Sequence, residues 1–350
     1  MSTQNDGTPD FSNELNGVGP ATADKLTDAG YTNYLDLAVA DGSTLENEAD
    51  IGEKTAQDVV KQARELADVG GFKSAREIAI QRREIMDVSF GVPEVDDLLG
   101  GGVSTQAITE VYGENSSGKS QVAHQIAVMA QLPEEHGGAD GGVVFIDTED
   151  TFRPGRIEDM VKGLDDDIKR ACFDSHELDA SNVTDKNVDK LVHSVLENIH
   201  VAKGFNSDHQ TLLTEKALKE VVPEHEDTNM PVRGLIIDSL TAQFRAEYVG
   251  RGELANRQQK LNGNISILQK YTDRYNGFVL ITNQVSSNPD SYFGDPTNPI
   301  GGNILGHAST YRIYLRNSKN DKRITRLVDA PELADGEAVM RITGNGLEEE

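Results

Sequence analysis

The sequence predicts an α/β fold: a core with a mostly parallel sheet covered by helices on both faces, preceded by a small all-α domain. Three observations predict it. Apolar residues recur at helical spacing from Leu15 to Leu66, and beyond Gln106 short apolar runs alternate with longer helical segments. The first of those runs leads straight into a glycine-rich loop, Gly113-Glu114-Asn115-Ser116-Ser117-Gly118-Lys119-Ser120.

Residues 1–13 are polar and without periodicity, and are expected to form a disordered tail. Residues 14–69 carry the helical pattern, with apolar positions Ala23, Leu26 and Ala29, then Tyr34, Leu35 and Leu37, then Ala56, Val59, Val60, Ala63 and Leu66. Two segments fall between helices there, Leu15-Asn16-Gly17-Val18-Gly19-Pro20 and a degenerate copy at Ile51-Gly52-Glu53-Lys54, so a helix-hairpin-helix domain is expected. Gly-x-Gly hairpins expose backbone N–H groups and can hold a DNA phosphate without reading sequence; a plain packing corner between helices has the same pattern. Gly70 and Gly71 break the run, and residues 70–88 read as a linker with a helix near Ala75 to Arg83.

The core is expected over residues 89–346, beginning with a glycine- and proline-rich loop at Phe90 to Gly102. Its strands are predicted at Ile108 to Tyr112, Gly142 to Asp147, Ile199 to Ala202, Leu235 to Asp238 and Phe278 to Asn283. Tyr311 to Asn317, Arg323 to Val328 and Ala338 to Thr343 are joined by short links and read as antiparallel strands extending that sheet. Residues 347–350 form an acidic tail.

Composition narrows the class further. The chain has 350 residues and a formal net charge of −26, and it lacks the roughly 20 uninterrupted apolar residues of a membrane span and the apolar region of a signal peptide. A cytoplasmic protein is the expectation. Cys172, the single cysteine, can form no intramolecular disulfide and reads as a small buried apolar side chain. An acidic excess spread over the whole chain fits either a cytosol with molar salt or avoidance of polyanions.

The segment Gly113 to Ser120 is a complete P-loop between a strand and an apolar helix beginning at Gln121. Glycines let backbone N–H groups turn toward phosphates, Lys119 reaches the β- and γ-phosphates, and the Ser120 hydroxyl suits Mg²⁺. Gly234-Leu-Ile-Ile-Asp238 has the form of a Walker B strand, whose terminal carboxylate holds Mg²⁺ beside the P-loop. Asp147 and Glu149 end another strand and fall on the same side by alternation, so either could orient a water.

The runs LLGGGVSTQAITEVYGENSSGKSQ from Leu98 to Gln121, FIDTEDTFRPGRI at 145–157, GLIIDSLTAQFRAEYVGRGELANRQQKLN at 234–262 and GGNILGHASTYRIYLRNSK at 301–319 resemble the archaeal branch of the RecA/RadA recombinases. The likeness extends from about Leu15 to Gly346 and implies a RecA-like P-loop ATPase core. It also suggests a halophilic source.

That resemblance implies a DNA-dependent ATPase that uses ATP and Mg²⁺, polymerises as a filament or ring on single-stranded DNA, captures duplex DNA and exchanges strands at homology. Recombinase paralogues and a single-strand-binding protein are implied as further partners. Glu149 would activate the attacking water, Gln284 would sense the γ-phosphate, and Arg156 would lie against the adenine. Asn115-Ser116 stands where Phe-Gly is usual, and Asp150 where Gly or Asn is common; neither removes a required group.

Residues 285–309 contain three prolines and four glycines without a sustained period, as long functional loops do. By the resemblance they include the second DNA-binding loop, with Gly301, Gly302 and Asn303, and Phe244 to Glu253 is the first, with Arg245 and Arg251 on the DNA backbone. Arg245 to Lys260 carries four basic and two acidic residues, and Arg312 to Arg326 six basic and one acidic, against an acidic background. A solvated charged face would have the same composition. His307 would couple the DNA loop to the nucleotide state, Gly17 and Gly19 would contact DNA, Phe72 and Ala75 would enter a neighbouring subunit in polymerisation, and Asp329 and Pro331 would cap that neighbour's ATP. A hexameric helicase with the same core fits the Phe-x-x-Ala linker and the helical N-terminal domain less well. A non-exchanging paralogue acting as loader or mediator often lacks that domain or the DNA loops, and this chain has both.

Overall fold

A computed structural model of the chain describes residues 11–67, 72–248, 250–287, 297–319 and 321–350. It divides into two units, with the boundary between Arg83 and Glu84.

In the first unit, short helices at Phe11–Glu14, Pro20–Asp28, Tyr34–Val39 and Gly42–Glu48 precede a longer one at Glu53–Leu66. Side-chain caps start several of them: Asn33 accepts the Asp36 N–H, and Asp41 accepts from Ser43 and Thr44. Phe11, Leu26, Leu37, Leu45, Ala56, Val59 and Ala63 form the buried core. Phe11 belongs to that core, set edge-on to Tyr34 at 5.5 Å, so residues 11–13 are not tail. The first ten residues of the expected tail lie outside the described ones. Leu66, counted among the apolar positions, is exposed. The linker helix runs over Ala75–Gln81, held by a capping box between Ser74 and Glu77, and Gly70 and Gly71 lie outside the described residues.

The second unit has a two-stranded ribbon of β1 (Asp87–Val88) and β2 (Val103–Ser104), and a large sheet. The linker's expected end at residue 88 is therefore corrected, because β1 is already part of this unit. The sheet is formed by β3 (Ile108–Gly113), β4 (Gly142–Asp147), β5 (Ile199–Lys203), β6 (Val232–Asp238), β7 (Phe278–Ser287), β8 (Thr297–Pro299), β9 (Tyr311–Asn317), β10 (Lys322–Asp329), β11 (Gly336–Ile342) and β12 (Leu347–Glu349). Their order is β12-β11-β10-β9-β3-β7-β6-β4-β5, with β8 paired to β7. Neighbours from β9 to β5 are parallel, and β10, β11 and β12 continue the sheet antiparallel. The expected acidic tail is thus an edge strand: the chain reverses at Gly346, at φ +137°, and Leu347 is buried against the core.

Alternation along the strands feeds two cores. Val143, Phe145, Ile236 and Leu280 face the helices Lys119–Met129, Pro154–Gly163 and Asp185–Glu197, whereas Val144, Ile146, Ile237 and Ile281 face the helix Leu254–Tyr275. The parallel strands therefore end together at their carboxyl edge, where Gly113, Asp147, Asp238 and Gln284 lie. Among the described residues, no helix is long and apolar enough to cross a membrane.

Cys172 is buried in the first of these cores, and desolvation pushes its thiol up to about 12, out of reach of nucleophilic chemistry. One helical turn on, His176 is buried beside Ser194, its Nδ1 at 2.8 Å from the hydroxyl, and burial pushes its pKa down to about 4. The unfolded chain takes up this proton near pH 6.5, so stability present above that pH is lost as pH falls toward 4. We expect the unfolding free energy to drop by about 2–3 kcal/mol from this group between pH 7 and pH 4.5. Denaturant melts of wild type and His176→Gln in the same salt check it: the variant should show a shallower loss.

Candidate active site

The phosphate cradle is shaped by backbone that only certain residues tolerate. Gly118 adopts φ +107°, and a Cβ on Gly113 would sit 2.2 Å from the Leu315 carbonyl oxygen. Ser116 also lies in the left-handed region, at φ +62°, which explains why glycine suits that place and why serine there carries strain. The helix of Lys119 and Ser120 starts immediately after, directing its N-terminus into the loop, and Gln121 follows in its first turn. Glu114, Asn115 and Ser116 are exposed, whereas Ser117 is fully buried and its hydroxyl has no hydrogen-bond partner. Lys119 Nζ donates to the loop's own carbonyls, Gly113 O at 3.0 Å and Glu114 O at 2.8 Å. Burial lowers its pKa, partly offset by the charges of Asp238 and Glu149. A partly desolvated cation on carbonyls and an orphaned buried hydroxyl fit a phosphate chain and its Mg²⁺.

Asp238, at the end of β6, is buried and oriented by two hydroxyls, Thr151 at 2.8 Å and Thr282. With Ser120 it is a residue that could hold Mg²⁺.

The two carboxylates left open by alternation differ in their surroundings. Asp147 is buried, and it accepts the backbone N–H groups of Glu149, Thr151 and Phe152 at 3.0–3.1 Å, so it shapes the loop. Glu149 is exposed, and its Oε1 accepts from Ser239 Oγ at 2.7 Å and Gln284 Nε2 at 2.8 Å. Geometry thus separates a scaffold carboxylate from one facing the cleft. Asp150, at φ +59°, points its charge to Lys203 at 2.8 Å, and that ammonium holds its carboxyl below the usual range. The extra carboxylate is therefore paired away from Glu149.

Arg156 donates to Gln121 Oε1 at 2.6 Å, to Thr343 O at 2.7 Å and to Gly344 O, tying the P-loop helix to the turn before β12. His124 was not foreseen in this role. Its Nε2 accepts the Arg153 N–H at 3.0 Å, its Nδ1 faces the Ser120 carbonyl, and its ring stacks on Phe152. Burial lowers its pKa, so the neutral ring joins the P-loop helix to the segment of Arg156. Its i, i+4 spacing from Ser120 was the available signal.

The loops predicted to meet DNA begin at this same edge. Arg245 lies on the helix Ala242–Glu247 and approaches Gln284 Oε1 at 3.4 Å. Arg251 starts a short 3-10 turn. The second loop is not featureless: β8 pairs with the end of β7, Gly301 and Gly302 adopt positive φ, and a helix runs over Asn303–Ala308 with His307 exposed. Residues 249 and 288–296 of the two loops lie outside the described ones.

The basic segment 312–326 is not a uniform open face. Arg312 is sealed against Glu110, Arg316 pairs with Glu337 at 3.1 Å, and Lys322 pairs with Glu350.

Asp329 and Pro331 lie apart from the cradle. Asp329 pairs in register with Arg312, whereas Gly113 pairs with Leu315, and Asp329 and Pro331 are both exposed. Phe72 and Ala75 are exposed at the linker helix. In the first unit Gly17 takes φ +83° and Gly19 precedes the helix Pro20–Asp28; neither has another group within 4 Å of where a Cβ would stand. This hairpin is open to an incoming group.

A glycine-shaped loop and an exposed carboxylate at the shared carboxyl edge of a parallel sheet are the arrangement of a P-loop core. The chain belongs to the Rad51 family, whose model matches residues 81–180 and 183–350. A second model, the SAM-like helix-hairpin-helix tandem, matches residues 13–65. The chain is 61% identical over 337 residues to the DNA repair and recombination protein RadA of Halobacterium salinarum, covering 96% of this chain and 98% of that one. It is 60% identical to the RadA of Haloferax volcanii over 336 residues, with the same coverage, and 51% identical to that of Methanoculleus marisnigri over 334 residues, 95% of this chain and 97% of that one. Proteins of this family are DNA-dependent ATPases that use ATP with Mg²⁺, bind DNA and form filaments.

Proposed function

We propose that this chain is an ATP-dependent recombinase that assembles on single-stranded DNA, pairs it with homologous duplex and exchanges strands in recombination and repair. The observation that carries the reading is the contact of Glu149 with Gln284, because it joins a cleft-facing carboxylate to the residue from which the second DNA loop departs. Glu149 accepts a proton from the attacking water and Lys119 leaves its loop carbonyls for the phosphates; Mg²⁺, when bound at Ser120 and Asp238, neutralises phosphate charge. The backbone N–H groups of Gly113 to Ser120 hold the phosphates, and Arg156 forms the wall beside the base. Gln284, shared between Glu149 and Arg245, lets DNA at Arg245 alter the placement of the carboxylate.

Assembly supplies the remaining parts. Phe72 and Ala75 enter an apolar surface of the next subunit, and Asp329 and Pro331 close over the ATP of a neighbour. Gly17, Gly19, Arg245, Arg251, Gly301, Gly302 and Asn303 hold DNA through its backbone, which requires no sequence reading. His307 transmits nucleotide state to the loop.

A strand-exchange assay in molar KCl tests the reading. Product is expected with homologous duplex and ATP, and none with heterologous duplex. DNA-stimulated ATPase without exchange on homologous DNA would overturn the recombinase assignment and leave a loader or mediator.

A further inference from the structure

Behind the nucleotide site lies a buried charge that the chemistry above does not use. Glu110, three residues before Gly113 on β3, is completely buried, and both of its carboxylate oxygens are taken. Oε1 accepts from Asn283 Nδ2 at 2.7 Å and Oε2 from Arg312 Nε at 2.7 Å. Asn283 is itself fully buried and its amide is divided: Nδ2 also donates to the Ile300 carbonyl at 2.6 Å, and Oδ1 accepts from Thr241 Oγ1 at 2.6 Å. Arg312 lies over the Tyr112 ring at 5.5 Å and stands 3.4 Å from where a Cβ on Gly306 would be.

Each partner stands at the root of a different element. Glu110 is on the strand that becomes the P-loop, and Asn283 immediately precedes Gln284 on β7. Thr241 immediately precedes the helix that carries Arg245. Ile300 ends the segment that returns from the second loop, its N–H bonded to Gln284 O at 3.0 Å, and Gly306 is next to His307. Successive residues of a strand face opposite sides, so Asn283 points away from the cleft while Gln284 points into it. A shift of either loop root must therefore move Asn283 against a fixed, buried carboxylate, or break one of its bonds.

We propose that Glu110, Asn283 and Arg312 form a positioning node that holds the roots of both DNA loops in register with Gln284, and so makes ATP turnover respond to DNA. The proposal rests on the recombinase reading above. These are positioning residues: none of them faces the phosphate cradle. A buried ion pair is poor value for stability alone, since apolar replacements of similar shape often do as well, but it admits few alternative arrangements.

The test uses the full chain in molar KCl and three variants: Thr241→Val, which removes one hydroxyl link; Glu110→Gln, which keeps shape and strands the Arg312 charge; and the double variant Glu110→Gln with Arg312→Gln, which removes both charges. For each, ATPase rate with and without single-stranded DNA, KM for ATP, DNA affinity and melting temperature are measured. The double variant is expected to recover a melting temperature lost in Glu110→Gln but not the response to DNA. Its DNA-stimulation ratio should fall at least fivefold, with KM for ATP and basal rate within about twofold of wild type, and Thr241→Val should show a smaller fall of the same kind. A double variant that folds and keeps the wild-type stimulation ratio would overturn the node, as would Thr241→Val with no change at all. A wild-type chain whose ATPase ignores DNA would instead overturn the recombinase reading, so the two failures are distinct.

Discussion

Glu149→Gln is expected to lower ATP turnover by at least about 10²-fold while leaving ATP and DNA binding close to wild type. The carboxylate faces the cleft, and only one of its oxygens is engaged in the Ser239 and Gln284 contacts. Glutamine can present its carbonyl oxygen to the same two donors, so the local geometry survives; what is lost is the group proposed to accept a proton from water. Steady-state hydrolysis with saturating single-stranded DNA, set beside nucleotide binding by fluorescence, measures the two effects separately. Asp147→Asn is the informative comparison. It weakens the acceptors for three backbone N–H groups of the Glu149 loop, so it should impair nucleotide binding and stability together. A wild-type rate in Glu149→Gln would remove it from the role of base.

The contrast between those two acids shows what the chain discloses before it folds. The P-loop was legible because everything it needs is local: a strand, glycines at fixed spacing, Lys119 and a following helix. The choice between Asp147 and Glu149 was not, since alternation puts both on one side and the deciding donors, Ser239 and Gln284, are 90 and 135 residues away in sequence. The departures at Ser116 and Asp150 were visible as residue types, but the positive φ that makes small residues suit those places was not. Phe11 and Leu347 were misread as tail for a related reason. A single apolar residue among polar neighbours has no periodicity, and its burial depends on partners such as Tyr34 and Gln125 that come from other helices. Glu110 and Arg312 are 202 residues apart and meet only because β3 and β9 are parallel neighbours in that register. Among charged residues in the sequence nothing distinguished them from a solvated pair.

DNA-dependent ATPase activity is expected to rise between about 0.1 M and above 1 M KCl, against the trend of ordinary DNA binders. The net charge of −26 repels a polyanion at low ionic strength, where the Debye length is roughly 10 Å and the field of the whole chain acts on the approaching strand. At about 1 M salt that length falls to roughly 3 Å, and only groups in contact matter. In the proposed reading the local groups are then a few cations, such as Arg245, and open backbone N–H sites such as the Gly17 to Gly19 hairpin. High salt also weakens counterion release at those cations, so backbone contacts and cooperativity along the filament must carry more of the affinity. Folding adds to the effect, because screening relieves repulsion among the excess carboxylates. The relatives at 60–61% identity come from Halobacterium and Haloferax, halophilic archaea, which favours the molar-salt explanation of the acidity over avoidance of polyanions. Circular dichroism over the same titration separates the contributions: activity that climbs after the fold is complete measures relief of repulsion from DNA. Full folding and peak activity near 0.1 M, with both DNA binding and turnover gone by 1 M, would refute the high-salt account of this charge.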